Sequence, residues 1–196
     1  MFQYYIFHKP YQVLTQFSEE GDKKTLAVFF TGLSKNVYPV GRLDYDSEGL
    51  LLLTDDKSLT HQLLDPQFAH QRTYYVQVDG AVTDEALMKL SNGVTISLDG
   101  KPYRTKKAIA KRLTEDPGIG ERVPPIRYRK NIPTSWISLT LTEGKNRQVR
   151  RMTAAVGFPT LRLIRYSIGK VNIDGIIPGE FIQTGDDIRA LLLAKK

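Results

Sequence analysis

Three carboxylates at two-residue spacing, Asp44, Asp46 and Glu48, sit in a stretch bracketed by Gly41 and Gly49, with Asp55 and Asp56 shortly after. Carboxylates placed this way can hold a cation, remove a proton or attack as nucleophiles. The spacing Asp44-x-Asp46-x-Glu48-Gly49 imitates the first half of a calcium loop, but the apolar run Leu50–Leu53 stands where further ligands should follow. Metal binding is therefore set aside, and one carboxylate beside arginines is left to do the chemistry. The chain has no Cys, which excludes a thiolate nucleophile, a disulfide and a thiolate metal site. No His-Glu-x-x-His, Gly-x-x-x-x-Gly-Lys-Ser/Thr, Gly-x-Gly-x-x-Gly or Gly-x-Ser-x-Gly motif occurs. His8, His61 and His70 read as exposed or core-edge residues.

Charge supplies the second clue. The formal net charge of +7 is localised: residues 101–130 hold ten basic side chains against three acidic ones, which is the whole surplus. A second cluster has Lys145, Arg147, Arg150, Arg151, Arg162 and Arg165, with no acid between 145 and 165. Such concentration is the footprint of a polyanion partner, although a single run of this kind also reads as a solvated basic face. Residues 115–133 carry four of the ten prolines. These limit backbone freedom around Arg122, Arg127, Arg129 and Lys130, so the stretch is expected to be a pre-stiffened docking arm for that polyanion. The longest apolar runs are far short of the roughly 20 residues that span a bilayer. The Met1-Phe2-Gln3-Tyr4 start lacks a secretory signature, so a soluble, cytoplasmic, monomeric protein without a membrane partner is expected.

The elements that must position these groups follow from pattern. Tyr4–Phe7 and Tyr11–Leu14 read as short strands separated by Lys9-Pro10, and Lys24–Phe30 as a short helix. The carboxylate loop feeds a buried strand over Leu50–Leu53. Asp56–Leu64 looks helical, as does Asp84–Leu90 with Thr83 as N-cap. Thr73–Val78, Val94–Ile96, Lys107–Leu113 and Ser135–Leu141 read as strands. Gln148–Val156 and Asp186–Ala194 read as helices. Strands outnumber helices without regular βα alternation, which predicts an α+β chain with a mostly antiparallel sheet.

Three segments then agree, in order and spacing, with one family. Gly41-Arg42-Leu43-Asp44-x-x-Ser47-x-Gly49-Leu50-Leu51-Leu52-Leu53-Thr54-Asp55-Asp56 resembles the signature loop of the pseudouridine synthases that modify ribosomal RNA. Arg72-Thr73-Tyr74-Tyr75-Val76 resembles their second motif, with Arg72 where Lys is more usual. Glu143–Met152 resembles the third, followed by Gly157…Leu161-x-Leu163-x-Arg165…Ile168-Gly169. The chain resembles the branch typified by the small-subunit synthase A, and because Tyr5–Pro10 is similar to the start of the catalytic domain, the S4 RNA-binding domain usual in that branch is not expected.

The resemblance implies a single catalytic domain over 1–196, built as two subdomains flanking a catalytic cleft, with a mixed sheet and peripheral helices. It implies isomerisation of a uridine in large-subunit ribosomal RNA, near the peptidyl transferase region, with base flipping and no cofactor or metal. Asp44 would be the essential carboxylate, as nucleophile or as base. Tyr74 would stack on the flipped uracil, Arg150 would pair with Asp44, and Arg42 would fill the space the base leaves. Leu163 would close the pocket. Arg72, Lys145, Arg147, Arg151 and Arg165 would face RNA, together with Arg127, Arg129 and Lys130. Without the resemblance, Asp44 also reads as a turn residue, Tyr74 as core and Arg150 as a phosphate contact. The alternative function is a non-catalytic ribosomal RNA-binding or assembly factor.

Overall fold

The computed structural model describes residues 2–126 and 132–194, so Arg127, Arg129 and Lys130 lie outside the described residues. The chain divides into two units. Unit 1 comprises residues 1–70 and 164–196, and unit 2 the intervening residues 71–163.

Unit 1 begins with strands β1 (Tyr4–Lys9), β2 (Val13–Leu14), β3 (Lys24–Thr25), β4 (Tyr38–Pro39) and β5 (Glu48–Thr54), then helix α1 (Lys57–Leu64). The apolar run Leu50–Leu53 lies in β5, where all four leucines are fully buried. An unbroken apolar run suits a strand covered on both faces, and each buried leucine is worth about 1.5–3 kcal/mol of transfer free energy. Strand β1 pairs antiparallel with β5, placing Phe7 opposite Leu51 and Tyr5 opposite Leu53. These four side chains join Phe30, Val37 and Leu43 in one hydrophobic cluster.

Unit 2 holds β6 (Arg72–Asp79), α2 (Asp84–Ser91), β7 (Thr95–Leu98), β8 (Lys101–Arg104), β9 (Ile109–Leu113), β10 (Thr134–Leu141) and α3 (Gln148–Ala155). Strand β10 pairs antiparallel with β6 and β9 on its two sides, while β7 and β8 form a separate hairpin. Val76, Val78, Ile137 and Leu139 form one core with Leu87 and Leu90 of α2 and with Val149 and Met152 of α3. Thr83 caps α2 through its side chain, which accepts from the Ala86 N–H.

The chain ends with β11 (Thr160–Ile168), β12 (Val171–Asn172), β13 (Phe181–Thr184) and α4 (Ile188–Leu193). Strand β11 starts in unit 2 and continues into unit 1, where Ile164 and Arg165 pair in parallel with Glu48 and Gly49 of β5. The fold is α+β with a mixed rather than purely antiparallel sheet.

Several sequence expectations need correction. The helix expected over Lys24–Phe30 is strand β3 and a single 3-10 turn, Leu26–Val28. Thr25 is extended there and makes no side-chain cap, and Leu26 and Phe30 are both buried in the hydrophobic cluster with Tyr5 and Phe7. Strands β8, β11 and β13 had no counterpart in the pattern reading. Charged residues break the alternation in the first two, and Pro102 stands inside β8. Between β9 and β10 no helix or strand occurs among the described residues.

A buried polar junction fastens the ends of unit 1. Asp56 caps α1 by accepting from the Leu59 N–H at 2.9 Å, and it also accepts from the Tyr4 hydroxyl at 2.9 Å. Arg189 completes the set with an ion pair to Asp56. Burial works to raise the Asp56 pKa, but the donors from Leu59, Arg189 and Tyr4 prevail and hold it below the usual carboxylate range. Burial and the bond to Asp56 push the Tyr4 hydroxyl up to about 12. A carboxylate with a depressed folded pKa stabilises above its unfolded value and loses that stabilisation as pH falls through the folded one. Asp56→Asn is therefore expected to cost roughly 1–3 kcal/mol at pH 7. It should also flatten the loss of stability below about pH 4. Urea midpoints at pH 7 and pH 3.5 for both proteins test this.

Candidate active site

In unit 1 the carboxylate loop is stapled to the core on both sides of Asp44. Leu43 is buried in the hydrophobic cluster, and Thr15 Oγ1 donates to its carbonyl at 2.7 Å while accepting from its N–H at 3.2 Å. The Ser47 N–H donates to the Asp44 carbonyl at 3.0 Å, and the Gln12 N–H to that of Tyr45 at 2.9 Å, closing a tight turn. Asp44 is left half-buried and Arg42 exposed. The turn delivers the chain into β5 at Gly49, whose φ of +107° is open to glycine but not to residues with a side chain. A Cβ at Gly49 would lie 2.4 Å from the Arg165 carbonyl oxygen, so two backbones meet with no room for a side chain.

Beneath this loop lies a group with no role in the sequence reading. Lys9 is 0% exposed, and its Nζ donates to the carbonyls of Pro10 and Val13, each at 2.8 Å. Burial lowers its pKa to about 7, against the pull of Glu48, Asp46 and Asp44 and with a further push from Arg165. The signal available was the Lys9-Pro10 step between two apolar strands.

Unit 2 places the other motif residues. Arg72 and Tyr74 lie half-buried at the start of β6, with Tyr74 packed against the hydrophobic cluster. The third motif is a turn hung from a buried acid. Glu143 accepts from Gln148 Nε2 at 2.6 Å, the Tyr103 hydroxyl at 2.6 Å and the Lys106 N–H at 2.9 Å. Burial would raise the Glu143 pKa, but these donors keep it below the ordinary value. Gln148 Oε1 accepts from the Lys145 N–H at 2.9 Å, closing the turn from inside. Arg147 takes a left-handed conformation, φ +50°, just before α3.

Lys145 and Arg147 are exposed, with Lys145 Nζ 5.2 Å from the centre of the Tyr103 ring. Arg150 is half-buried on α3. Arg151 is tied down by Ser97 O and Asn146 Oδ1. Leu163 is buried in the unit 2 core.

The arginines of β11 depart from the expected phosphate contacts. Arg165 is 4% exposed and its Nε donates to the Leu50 carbonyl at 2.7 Å. Arg162 is 6% exposed and its Nη1 donates to the Gly120 carbonyl at 2.7 Å. Each of these bonds lies within the arginine's own unit, and burial of this kind is not visible in the sequence. Arg42, Asp44 and Arg165 thus belong to unit 1, and Arg72, Tyr74, Lys145, Arg147, Arg150, Arg151 and Leu163 to unit 2.

Comparison with known proteins places these residues in context. The RNA pseudouridylate synthase family model matches residues 3–155, and the chain belongs to this family. Among its relatives, the ribosomal large subunit pseudouridine synthase E of Xanthomonas axonopodis pv. citri is 50% identical over 175 residues, covering 88% of this chain and 89% of that protein. The enzyme of the same name from Xanthomonas campestris pv. campestris is 47% identical over 192 residues, covering 97% and 98%. A crystal structure of a pseudouridylate synthase superposes with a TM-score of 0.80 at 27% identity, covering 98% of this chain and 74% of that one.

Lys9 yields an unusual pH dependence. With a folded pKa near 7 and an ordinary unfolded value near 10.4, the unfolded chain binds more protons between those values. Stability contributed by this site therefore rises with pH from about 7 to about 10. In Lys9→Met this rise should vanish, with an overall loss of roughly 1–3 kcal/mol from the two stranded carbonyls. Urea unfolding at pH 7 and pH 9.5 measures both.

Proposed function

We propose that the protein isomerises a specific uridine to pseudouridine in large-subunit ribosomal RNA. The N1–C1′ bond breaks, the uracil turns, and C5 joins C1′. The hydrogen on C5 leaves and N1 acquires one, so the reaction needs no redox partner. The observation that carries the reading is the Asp44 loop, a half-buried carboxylate on a tight turn that Leu43 and Thr15 hold in place, in a chain whose net charge is +7. A non-catalytic assembly factor gives a carboxylate fixed in this way no chemical step to perform, and this disfavours that reading.

In this proposal Asp44 acts on the nucleotide as nucleophile or base, Tyr74 stacks on the extruded uracil, and Arg150 keeps Asp44 ionised. Arg42 fills the space the base vacates. Extrusion costs a few kcal/mol of stacking and pairing, which phosphate contacts from Arg72, Lys145, Arg147 and the 115–133 arm offset. The target lies in the peptidyl transferase region, and the enzyme works as a cytoplasmic monomer.

Mapping of pseudouridine in large-subunit RNA incubated with the purified protein tests the activity. Asp44→Asn should reduce turnover by at least about 100-fold while RNA affinity stays within a few-fold. Asp46→Asn should keep most of the activity, and comparable losses at both would move the assignment to the wrong carboxylate.

The arm has its own test. Neutralising Arg127, Arg129 and Lys130 together should lower the slope of log affinity against log salt by roughly 2–3 units. An unchanged slope would remove the arm from the RNA-binding surface.

A further inference from the structure

One face of the unit 2 sheet lies against α2 and α3; the other carries a different set of side chains. Tyr75, Ser138 and Lys111 align across β6, β10 and β9, as do Gln77, Trp136 and Leu113. None of these six belongs to the hydrophobic cluster on the opposite face. At the Gln77–Trp136 end the face runs into a depression of about 540 Å³, also lined by Arg122, Arg162, Asp116 and Glu121. Trp136, the single tryptophan of the chain, is half-buried there.

The wall of this depression is fastened by its own hydrogen bonds. Arg162 holds Gly120, as above. Arg122 Nε donates to the Pro124 carbonyl at 2.8 Å and its Nη2 to that of Pro125 at 3.3 Å. Asp116 Oδ1 accepts from the Gly118 N–H at 2.8 Å. A cavity shaped in advance avoids most of the ordering cost of binding. Its volume lies in the range of small-ligand sites.

Resting on the functional reading above, we propose that this depression docks an unpaired, amino-bearing nucleotide of the RNA, apart from the uridine that reacts. An aromatic ring beside a side-chain amide is the combination by which proteins hold splayed bases, through stacking and edge hydrogen bonds. Lys111 stands on the same face and Arg122 and Arg162 line the depression, whose wall from Asp116 to Ile126 belongs to the segment holding the net positive charge, and this suits a polyanion as the occupant. Arg122 and Arg162 already donate to backbone carbonyls of the wall, and Asp116 and Glu121 add carboxylates that favour a base edge over a phosphate. Carboxylates accept from exocyclic amino groups, which cytosine, adenine and guanine possess and uracil lacks.

Because Trp136 is the only tryptophan, its emission reports this depression alone. The full-length protein is titrated with single-stranded hexacytidylate and hexauridylate. The expected result is saturable quenching by hexacytidylate at several-fold lower concentration than by hexauridylate, with Glu121→Gln narrowing the gap. In parallel, Gln77→Ala and Trp136→Leu should raise the KM for ribosomal RNA, the latter roughly 5- to 100-fold, with kcat unchanged. Emission that neither oligonucleotide alters, or equal quenching by both, overturns the proposal. If ribosomal RNA is isomerised while Trp136 stays silent, the docking site fails and the catalytic reading holds. Quenching by hexacytidylate without any isomerisation supports the docking site and refutes the catalytic reading.

Discussion

The approach of Gly49 to Arg165 is the constraint on which unit 1 turns. Two backbones separated by more than a hundred residues of sequence meet where no Cβ can stand. That contact joins β5 to β11 in parallel and fixes the point at which the carboxylate loop enters the sheet. Leu43 and Thr15 then hold the loop from the other side, so Asp44 is presented from a segment anchored at both ends. Arg165 contributes to this junction through its backbone and through its bond to the Leu50 carbonyl. Pre-organisation of this kind is worth more to a reaction than an additional cation on the surface.

Unit 2 solves a related problem by a different device. A turn carrying Lys145 and Arg147 tends to fly apart by like-charge repulsion. Glu143 and Gln148 hold it from below with four hydrogen bonds, three of them to one buried carboxylate. The exposed cations therefore stand above a buried, ionised carboxylate. Lys9 under the Asp44 loop is the converse arrangement, a cation buried among carboxylates whose charge is suppressed by desolvation.

What the residues disclosed and what they concealed follow a physical pattern. Elements with strong local signals were legible: the Thr83 cap of α2, the alternation of β10, the apolar run of β5 and the three motifs. The errors occur where local chemistry is overruled by distant partners. Lys24–Phe30 has helical composition, but Leu26 and Phe30 are drawn into the cluster with Tyr5 and Phe7. Arg162 and Arg165 read as RNA contacts because a sequence shows charge and not burial. Lys9, Glu143 and Gln148 were visible as letters, yet their work depends on carbonyls, hydroxyls and amides that only the folded chain brings near.

The division of the chain also bears on its synthesis. Unit 2 is one uninterrupted segment, whereas unit 1 is split around it. A ribosome releasing about 5–20 residues per second needs several seconds to pass from the first half of unit 1 to the second. During that interval β1 has β5 on one side but lacks β13, the strand that later covers its other edge. Unit 2 has all its strands available before unit 1 does. Unit 2 is thus synthesised whole before unit 1 can be completed, and the Tyr4–Asp56–Arg189 junction closes only once Arg189 has been made.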